Sequence, residues 1–337
     1  MRPINVSARS WIGIASAMAV CAVIGLFLYA RLPHDQGNVF QAHVEPDTVN
    51  VEPRTEATQG DVRILFGGDM MFDRWIREKA MKRGNNFVFD GVRDEIHAHD
   101  LTVANLEGPI TDNPSKSVGS AFGSHDNYLF TFDPSWAKTL ADEGIGPVDL
   151  GNNHIFNQGD DGLVQTKRFL DDVGVASFGD PSDGNRIARR TVNGIRIAFV
   201  GYDQFIPDGQ ERALADIKSA RESEDVVIVY AHWGSEYLPV RDDVRQLAHA
   251  FVDAGCDAVI GSHPHVVQEK ETYAGKTIYY SLGNFVFDQY FRDDTRRGLL
   301  VSMTIDGKTK QLSFRDFPVV LRTDGSTSVV NASDKRP

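Results

Sequence analysis

Cysteine is almost absent from this sequence of 337 residues, which contains only Cys21 and Cys256. Cys21 lies inside an apolar N-terminal run, and Cys256 precedes a strand-like stretch. We therefore expect no disulfide between them, and the cysteine content does not identify the redox compartment of the protein.

The sequence also lacks an excess of basic residues. It has 35 Lys and Arg against 47 Asp and Glu, which gives a formal net charge of −12 spread along the chain. Because nucleic acids are bound through clustered Lys and Arg, this balance argues against a nucleic acid partner. The hydrophobic share of 41% and the charged share of 24% are those of a globular protein.

One long apolar run, residues 11–30, contains no charged residue. A helix of that length spans the hydrocarbon core of a bilayer, which is about 30 Å thick. Arg2 and Arg9 precede the run, and Arg31 alone follows it closely before acidic residues begin. The positive-inside rule then places residues 1–10 in the cytoplasm and the rest outside it, in the periplasm or at the cell surface.

A cleaved signal peptide is the main alternative for this run. Signal peptides have a shorter apolar region, about 7–15 residues, and small residues around the cleavage site. The end of the run, Leu28-Tyr29-Ala30, lacks the small residue expected three positions before cleavage. We predict a retained single-pass anchor in the cell membrane.

The remaining chain divides by composition into a linker, a domain and a tail. Residues 31–60 are polar and without periodicity, as in a linker, and residues 323–337 resemble a flexible tail. Residues 61–322 alternate short apolar strands with helices, and Asn193-Gly194 predicts a hairpin turn. The alternation predicts an α/β fold with two mixed sheets packed face to face and helices outside.

Polar residues recur where predicted strands end, and this happens six times. Because the carboxyl ends of parallel strands meet at one edge of a sheet, these positions can converge in space. The six segments are residues 64–71, 103–109, 149–154, 229–236, 259–266 and 279–288.

The most specific of these segments contains His263 and His265, one residue apart after an apolar strand. Histidine is the commonest metal ligand, so this spacing favours a metal site. His232, which closes another apolar strand, is either a paired core histidine or a ligand. Asn152, Asn153 and His154 form a polar cluster that is either part of a site or an Asn-rich turn.

The other three segments are ambiguous by themselves. Gly67-Gly68 lets the backbone turn sharply before Asp69, which is either a ligand or a turn residue. Asn105 and Glu107 lie two apart on a strand and so share one face, in a site or at an edge facing solvent. Asn284 contacts a ligand, braces the site or belongs to a turn.

Taken in order, the motifs GD-x-M, NLE, GNNH, HWG, G-x-HPH and SLGNF resemble the bacterial capsule synthesis family CapA, over roughly residues 62–290. That family is similar to the calcineurin-like metallophosphoesterases and is implicated in poly-γ-glutamate capsule production. The resemblance implies a four-layer α/β/β/α sandwich with a metal centre at the strand ends.

The resemblance also implies a role for each matched residue. Asp69 would be a first ligand and Glu107 a bridging carboxylate, while His154 would protonate a leaving group or steady a transferring phosphoryl group. The remaining ligands would be divided between two metals, with Asn153, His232 and His263 at one and His265 at the other. From their positions at the strand ends we also predict four substrate-contacting residues: Asn105, Asn152, Glu236 and Asn284.

Met71 departs from the superfamily pattern, in which Asp-x-His supplies a histidine to one metal. A thioether suits Mn²⁺ or Mg²⁺ poorly, so one site loses a ligand and the number of metals is one or two. Replacement of that histidine is typical of the capsule family. The expected ligands suit Mn²⁺, Fe or Zn²⁺.

Three functions fit these observations. The first is a membrane-anchored, extracytoplasmic protein that assists synthesis, export or anchoring of an anionic polymer, together with other capsule-synthesis membrane proteins, through a metal-dependent, hydrolase-like site. The second is a metallophosphoesterase that acts on a small phosphoester. The third is a polymer-binding assembly component without catalysis, so enzymatic activity stays an open question at this point.

Overall fold

The computed structural model describes residues 60–182 and 184–330. The predicted cytoplasmic segment (1–10), membrane anchor (11–30) and nearly all of the linker (31–60) lie outside these residues, as do residues 331–337 of the predicted tail. Within the described part of the chain, no helix is long and apolar enough to cross a bilayer.

The described residues alternate strands and helices, as the apolar pattern indicates. The strands are β1 (Val62–Met70), β2 (Leu101–Leu106), β3 (Ile145–Asp149), β4 (Ser177–Phe178), β5 (Ile187–Val192), β6 (Ile195–Asp203), β7 (Val226–His232), β8 (Ala258–Ser262), β9 (Lys270–Tyr273), β10 (Lys276–Tyr279), β11 (Asn284–Val286), β12 (Arg297–Ile305), β13 (Leu312–Leu321) and β14 (Thr327–Val329). The helices are α1 (Arg74–Arg83), α2 (Arg93–His97), α3 (Ser135–Glu143), α4 (Gly159–Asp172), α5 (Gly209–Arg221) and α6 (Asp242–Ala254), with 3-10 helices at Asn85–Phe89 and His125–Tyr128.

Two mixed sheets contain these strands, as predicted. The eight-stranded sheet has the order β14-β13-β12-β1-β2-β3-β4, and β11 pairs in addition with the end of β1. The six-stranded sheet has the order β5-β6-β7-β8-β10-β9. Each sheet has a parallel centre, β1-β2-β3-β4 in one and β6-β7-β8-β10 in the other, so the carboxyl ends of the central strands within each sheet lie at one edge.

Three hydrophobic clusters separate four layers of structure. The middle cluster joins the inner faces of the sheets and includes Phe66 of β1 and Phe199 of β6, whose ring centroids lie 6.3 Å apart. An outer cluster packs α1, α3 and α4 on the eight-stranded sheet, and another packs α5 and α6 on the six-stranded sheet. The order of layers is therefore α/β/β/α.

Two details of the sequence prediction are wrong. The backbone does not turn at Gly67-Gly68, because β1 continues to Met70. Gly68 instead allows a close approach: a Cβ atom there would lie 1.8 Å from the carbonyl oxygen of Gly283. Regular secondary structure also continues beyond residue 322, because β14 pairs with the end of β13. This pairing extends the sheet into residues 327–329, which resemble a tail by composition.

Candidate metal centre

The candidate ligands converge at the strand ends of both sheets. Asp69 is the penultimate residue of β1, and Glu107 directly follows β2. His232 is the last residue of β7, and His263 and His265 follow β8. All five are buried, with at most 4% of their surface exposed.

Two groups of these residues place their ligand atoms within 4.8 Å of one another. One group is Glu107, His232 and His263, and the other is Asp69, Glu107 and His265. Glu107 belongs to both, which is the geometry that a bridging carboxylate requires. His232 and His263 belong to the first group, and His265 belongs to the second.

The donor set fits divalent cations. Glu107 Oε1 and His263 Nδ1 are buried and have no hydrogen-bond partner among the described residues. Such orphaned polar atoms are costly unless something satisfies them, and a cation between the carboxylates and imidazoles would do so. Buried carboxylate oxygens and neutral imidazoles suit Mn²⁺, Fe or Zn²⁺.

The imidazoles of His232 and His263 are neutral at neutral pH, as metal ligation requires. Burial lowers the pKa of His232 well below its usual value, and the nearby His263 and His265 act in the same direction, because clustered imidazoles would repel one another if protonated. Burial likewise lowers the pKa of His263 to about 3. Each ring therefore keeps a lone pair available for a cation.

The two carboxylates differ in pKa. Burial alone would raise the pKa of Asp69, but the hydrogen bond and charge of His265, with the side chain of Asn105, hold it below its usual value. Burial raises the pKa of Glu107 well above its usual value, and repulsion from Asp69 and Glu236 adds to this rise. A cation shared by both carboxylates would relieve that repulsion.

Asn153 and His154 lie beside the two groups. The Oδ1 atom of Asn153 is 2.9 Å from Nε2 of His232, so both atoms can face one cation. His154 Nε2 lies 4.0 Å from Glu107 Oε1, and its side chain is 12% exposed. Burial lowers the pKa of His154 to about 4, with smaller contributions from the charges of His265 and Arg74.

Asn157, which the sequence pattern did not indicate, fixes the tautomer of His154. Its Oδ1 atom accepts the backbone N–H of Phe130 at 2.8 Å, so the amide orientation is set. The same oxygen lies 3.0 Å from Nδ1 of His154. The proton of the neutral imidazole is therefore on Nδ1, and Nε2 faces the carboxylate as an acceptor.

Three predicted substrate-contacting residues are buried and hold the ligands in place. Asn105 donates to Asp69 Oδ1 at 2.8 Å and lies 3.2 Å from Nδ1 of His232. Asn152 donates to Asn105 Oδ1 at 2.9 Å, and Asn284 Oδ1 accepts from Nδ1 of His265 at 2.9 Å. Such contacts orient metal ligands and raise their basicity. For Asn284 the bracing alternative is the one that these contacts favour.

Glu236, the fourth predicted substrate-contacting residue, is exposed and lines a cavity of about 480 Å³. Arg74, Tyr237, Asp288 and Gln289 also line this cavity. The backbone of Tyr237 has a positive φ of 63°, and those of His263 and His265 have φ values of 93° and 56°. Such conformations are uncommon for non-glycine residues and cluster at functional sites.

Met71 contacts the backbone of its own segment. It is fully buried, and its Sδ atom accepts the backbone N–H of Asp73 at 3.0 Å. The thioether thus stabilises the chain just before α1. The group of Asp69, Glu107 and His265 therefore has one protein ligand fewer than the Asp-x-His pattern would give it.

Comparison with known proteins identifies the family to which this chain belongs. The model of the family described as bacterial capsule synthesis protein PGA_cap matches residues 63–289. The PGA biosynthesis protein CapA of Bacillus subtilis is 32% identical over 258 residues, which cover 70% of this chain and 66% of that protein. The capsule biosynthesis protein CapA of Bacillus anthracis is 32% identical over 267 residues, covering 72% and 64%.

The chain thus spans slightly less than two thirds of the length of both relatives. Among solved structures, a hypothetical protein from Thermus thermophilus is similar over 76% of this chain and 99% of that chain. Its TM-score is 0.49 and its sequence identity is 18%.

Proposed function

Because this chain belongs to the bacterial capsule synthesis protein family PGA_cap, we propose that it is an accessory protein of poly-γ-glutamate capsule synthesis, export or anchoring. Residues 11–30 hold it in the cell membrane, and its metallophosphoesterase-type domain lies outside the cytoplasm. Its partners are an anionic polymer or a phosphoester and other membrane proteins of capsule synthesis. The names of the two Bacillus relatives support the polymer.

The sharing of Glu107 by two groups of buried ligands supports the chemistry that we propose. Asp69, Glu107, Asn153, His232, His263 and His265 would hold one or two divalent ions. A bound ion would supply Lewis acidity and lower the pKa of a water molecule. The burial of the ligands excludes bulk water and strengthens these electrostatic effects.

His154 moves the proton in this scheme. Because Asn157 keeps the proton of the neutral ring on Nδ1, Nε2 first accepts a proton from the attacking water. The ring, now doubly protonated, can then return a proton from Nε2 to the leaving group. The family resemblance implies only that His154 protonates a leaving group or steadies a transferring phosphoryl group, and this proposal adds the step in which Nε2 first accepts a proton. General acid–base catalysis of this kind contributes about 10²–10⁴-fold to a rate.

The test is to purify the full-length chain, measure bound metal and assay a generic phosphodiester and poly-γ-glutamate. We expect at least one metal per chain and a rate that falls about 10²–10⁴-fold in His154→Ala with the metal retained. His125→Ala is the matched control, because the side chain of His125 is 83% exposed and it should change neither quantity.

Two outcomes would contradict this proposal. A folded wild-type protein that binds no metal and hydrolyses neither substrate would leave only the assembly role. High-affinity metal binding that survives both Asp69→Ala and His263→Ala would exclude these residues as the site.

The membrane anchor needs its own test, because it rests on residues 11–30 alone. We expect the full-length chain in the membrane fraction and a chain that begins at residue 60 in the soluble fraction. A mature protein that begins after residue 30 would show that a signal peptide is cleaved instead.

A further inference from the structure

Arg74 is a largely buried cation at the edge of the candidate metal centre, and the proposed chemistry does not use it. It is the first residue of α1, five positions after Asp69, and its backbone φ is 50°, in the left-handed region. Its side chain is only 11% exposed. A buried arginine in an uncommon backbone conformation needs a reason.

The guanidinium group is held firmly in place. Its Nη2 atom donates to Oδ1 of Asp288, whose Oδ2 atom accepts the backbone N–H of Trp75 at 3.1 Å. The Cζ atom lies 5.1 Å from the ring centroid of Phe130 and 5.4 Å from that of Phe287. One carboxylate and two aromatic rings thus orient the planar group.

The donors of this group are not all used. The Nε atom of Arg74 is buried and has no hydrogen-bond partner among the described residues. A purely structural ion pair would gain nothing from leaving a buried donor unsatisfied. Arg83 is different: it pairs with Asp324 at 2.9 Å with both side chains at least 40% exposed, as in an ordinary surface ion pair.

The aromatic rings that flank Arg74 also flank the candidate metal centre. The Phe130 ring lies 4.4 Å from that of His154, and the Phe287 ring lies 4.9 Å from that of His265. The charge of Arg74 also reaches Glu107, where it opposes the rise in pKa that burial causes. The Phe130 ring therefore contacts both Arg74 and the proton-transferring residue His154, and the Phe287 ring contacts both Arg74 and the candidate ligand His265.

Arg74 also differs in charge from the other residues that line the 480 Å³ cavity described above. Among the described residues that line the cavity it is the one basic side chain, while Glu78, Glu236 and Asp288 are acidic. An anionic group that enters would be attracted at Arg74 and repelled by Glu78 and Glu236. The lining thus suits a substrate that presents one oxyanion to Arg74, such as the end of a chain.

We propose that Arg74 is a substrate-binding residue that takes an oxyanion of the substrate through the donors of its guanidinium fork that Asp288 does not use, with Asp288 as its positioning residue. A carboxylate and a phosphoryl group both match this fork. The inference rests on the proposed function, because the substrate is taken to lie at the candidate metal centre. It narrows the substrate class to molecules with such a group next to the reacting bond.

The test measures binding by calorimetry at constant ionic strength, with inorganic phosphate and with γ-glutamylglutamate as separate probes. The full-length protein is compared with Arg74→Gln, Arg74→Lys and the double variant Arg74→Gln/Asp288→Asn. The double variant avoids an unpaired buried carboxylate, so it should keep the fold. Arg83→Gln is the matched control, since it removes an equal charge from the same helix. Metal content is measured in every variant.

We expect the affinity for at least one probe to fall about tenfold or more in Arg74→Gln and in the double variant, with metal content unchanged. Lysine should recover the affinity only in part, because it lacks the planar fork. Loss of phosphate binding alone would identify a phosphoryl group, and loss of γ-glutamylglutamate binding alone a carboxylate.

A double variant that binds each probe as tightly as the wild type does would overturn the assignment of Arg74. A wild type that binds neither probe would overturn it as well. This failure differs from that of the proposed function, which would show as absent metal in the wild type whatever the oxyanion affinities are.

Discussion

The two sheets contribute different chemistry to the candidate metal centre. The eight-stranded sheet contributes oxygen donors, through Asp69 at the end of β1, Glu107 after β2 and Asn153 after β3. The six-stranded sheet contributes nitrogen donors, namely the imidazole of His232 at the end of β7 and those of His263 and His265 after β8. Neither sheet alone provides a mixed ligand set, so metal binding depends on how the two sheets pack.

Amide side chains from the eight-stranded sheet connect the two kinds of donor. Asn105 on β2 contacts both Asp69 and His232, and Asn284 on β11 contacts His265. The oxygen-donating sheet thus also orients histidines of the other sheet. We expect the two sheets to be unequal in their effect on metal binding.

The largest expected effect comes from Glu107, because it belongs to both groups of ligands. Glu107→Gln should lower metal affinity more than about a hundredfold at both positions, since loss even of an outer partner costs about 10–100-fold. His263→Ala removes a ligand from one group and should leave at most one metal per chain. The measurement is metal stoichiometry after equilibrium dialysis. A Glu107→Gln variant that still binds metal with wild-type affinity at either position would contradict a bridging role for Glu107.

A smaller effect is expected from the amides that support the ligands. Asn284→Ala should lower metal affinity about 10–100-fold, because His265 loses the acceptor that fixes its tautomer. Asn185→Ala is the control, since Asn185 is exposed and contacts the backbone of Ser177. A competition titration with a chelating dye measures both. Unchanged affinity in Asn284→Ala would limit that residue to a role in packing.

The oxygen- and nitrogen-bearing side chains that the sequence singles out lie close together in the structure, because a polar residue at the end of an apolar strand is a local signal. It does not indicate α5, whose buried face includes Asp216, paired with Arg186, so that its apolar periodicity is weak. It also misses Arg74, whose partner Asp288 lies 214 positions away. Roles that depend on such distant contacts are visible only once the sheets are packed.

The two kinds of donor should also differ in how pH affects the protein without metal. The folded pKa values of His154 and His263, about 4 and about 3, lie below the ordinary value of 6.5. Below pH 6.5 the unfolded chain therefore binds protons that the folded chain does not, and stability falls as the pH falls. Glu107, with its raised pKa, acts in the opposite direction.

For the chelator-treated protein, each of these two histidines should contribute a loss of about 1–2 kcal/mol in unfolding free energy between pH 7 and pH 5. His263→Asn should therefore lose less stability than wild type over this interval. Denaturant titrations at both pH values measure the difference. The same pH dependence in variant and wild type would show that His263 is not buried in its neutral form.

The smallest expected effect concerns the contact between the sheets themselves. Tyr230 on β7 donates from Oη to the carbonyl oxygen of Gly67 on β1 at 2.6 Å, in the buried space between the sheets. Tyr230→Phe removes this bond and should lower the unfolding free energy by about 1 kcal/mol. Tyr279→Phe is the control, because its bond to Asp316 also joins the sheets but is partly exposed and should matter less.

Denaturant unfolding of both variants, together with metal titration, separates packing from ligation. We expect metal stoichiometry to stay unchanged in Tyr230→Phe, since Tyr230 belongs to neither group of ligands. A loss of metal in Tyr230→Phe without a loss of stability would mean that the two sets of donors are held in register by this one bond. The shared hydrophobic core would then be insufficient to align the oxygen donors of one sheet with the imidazoles of the other.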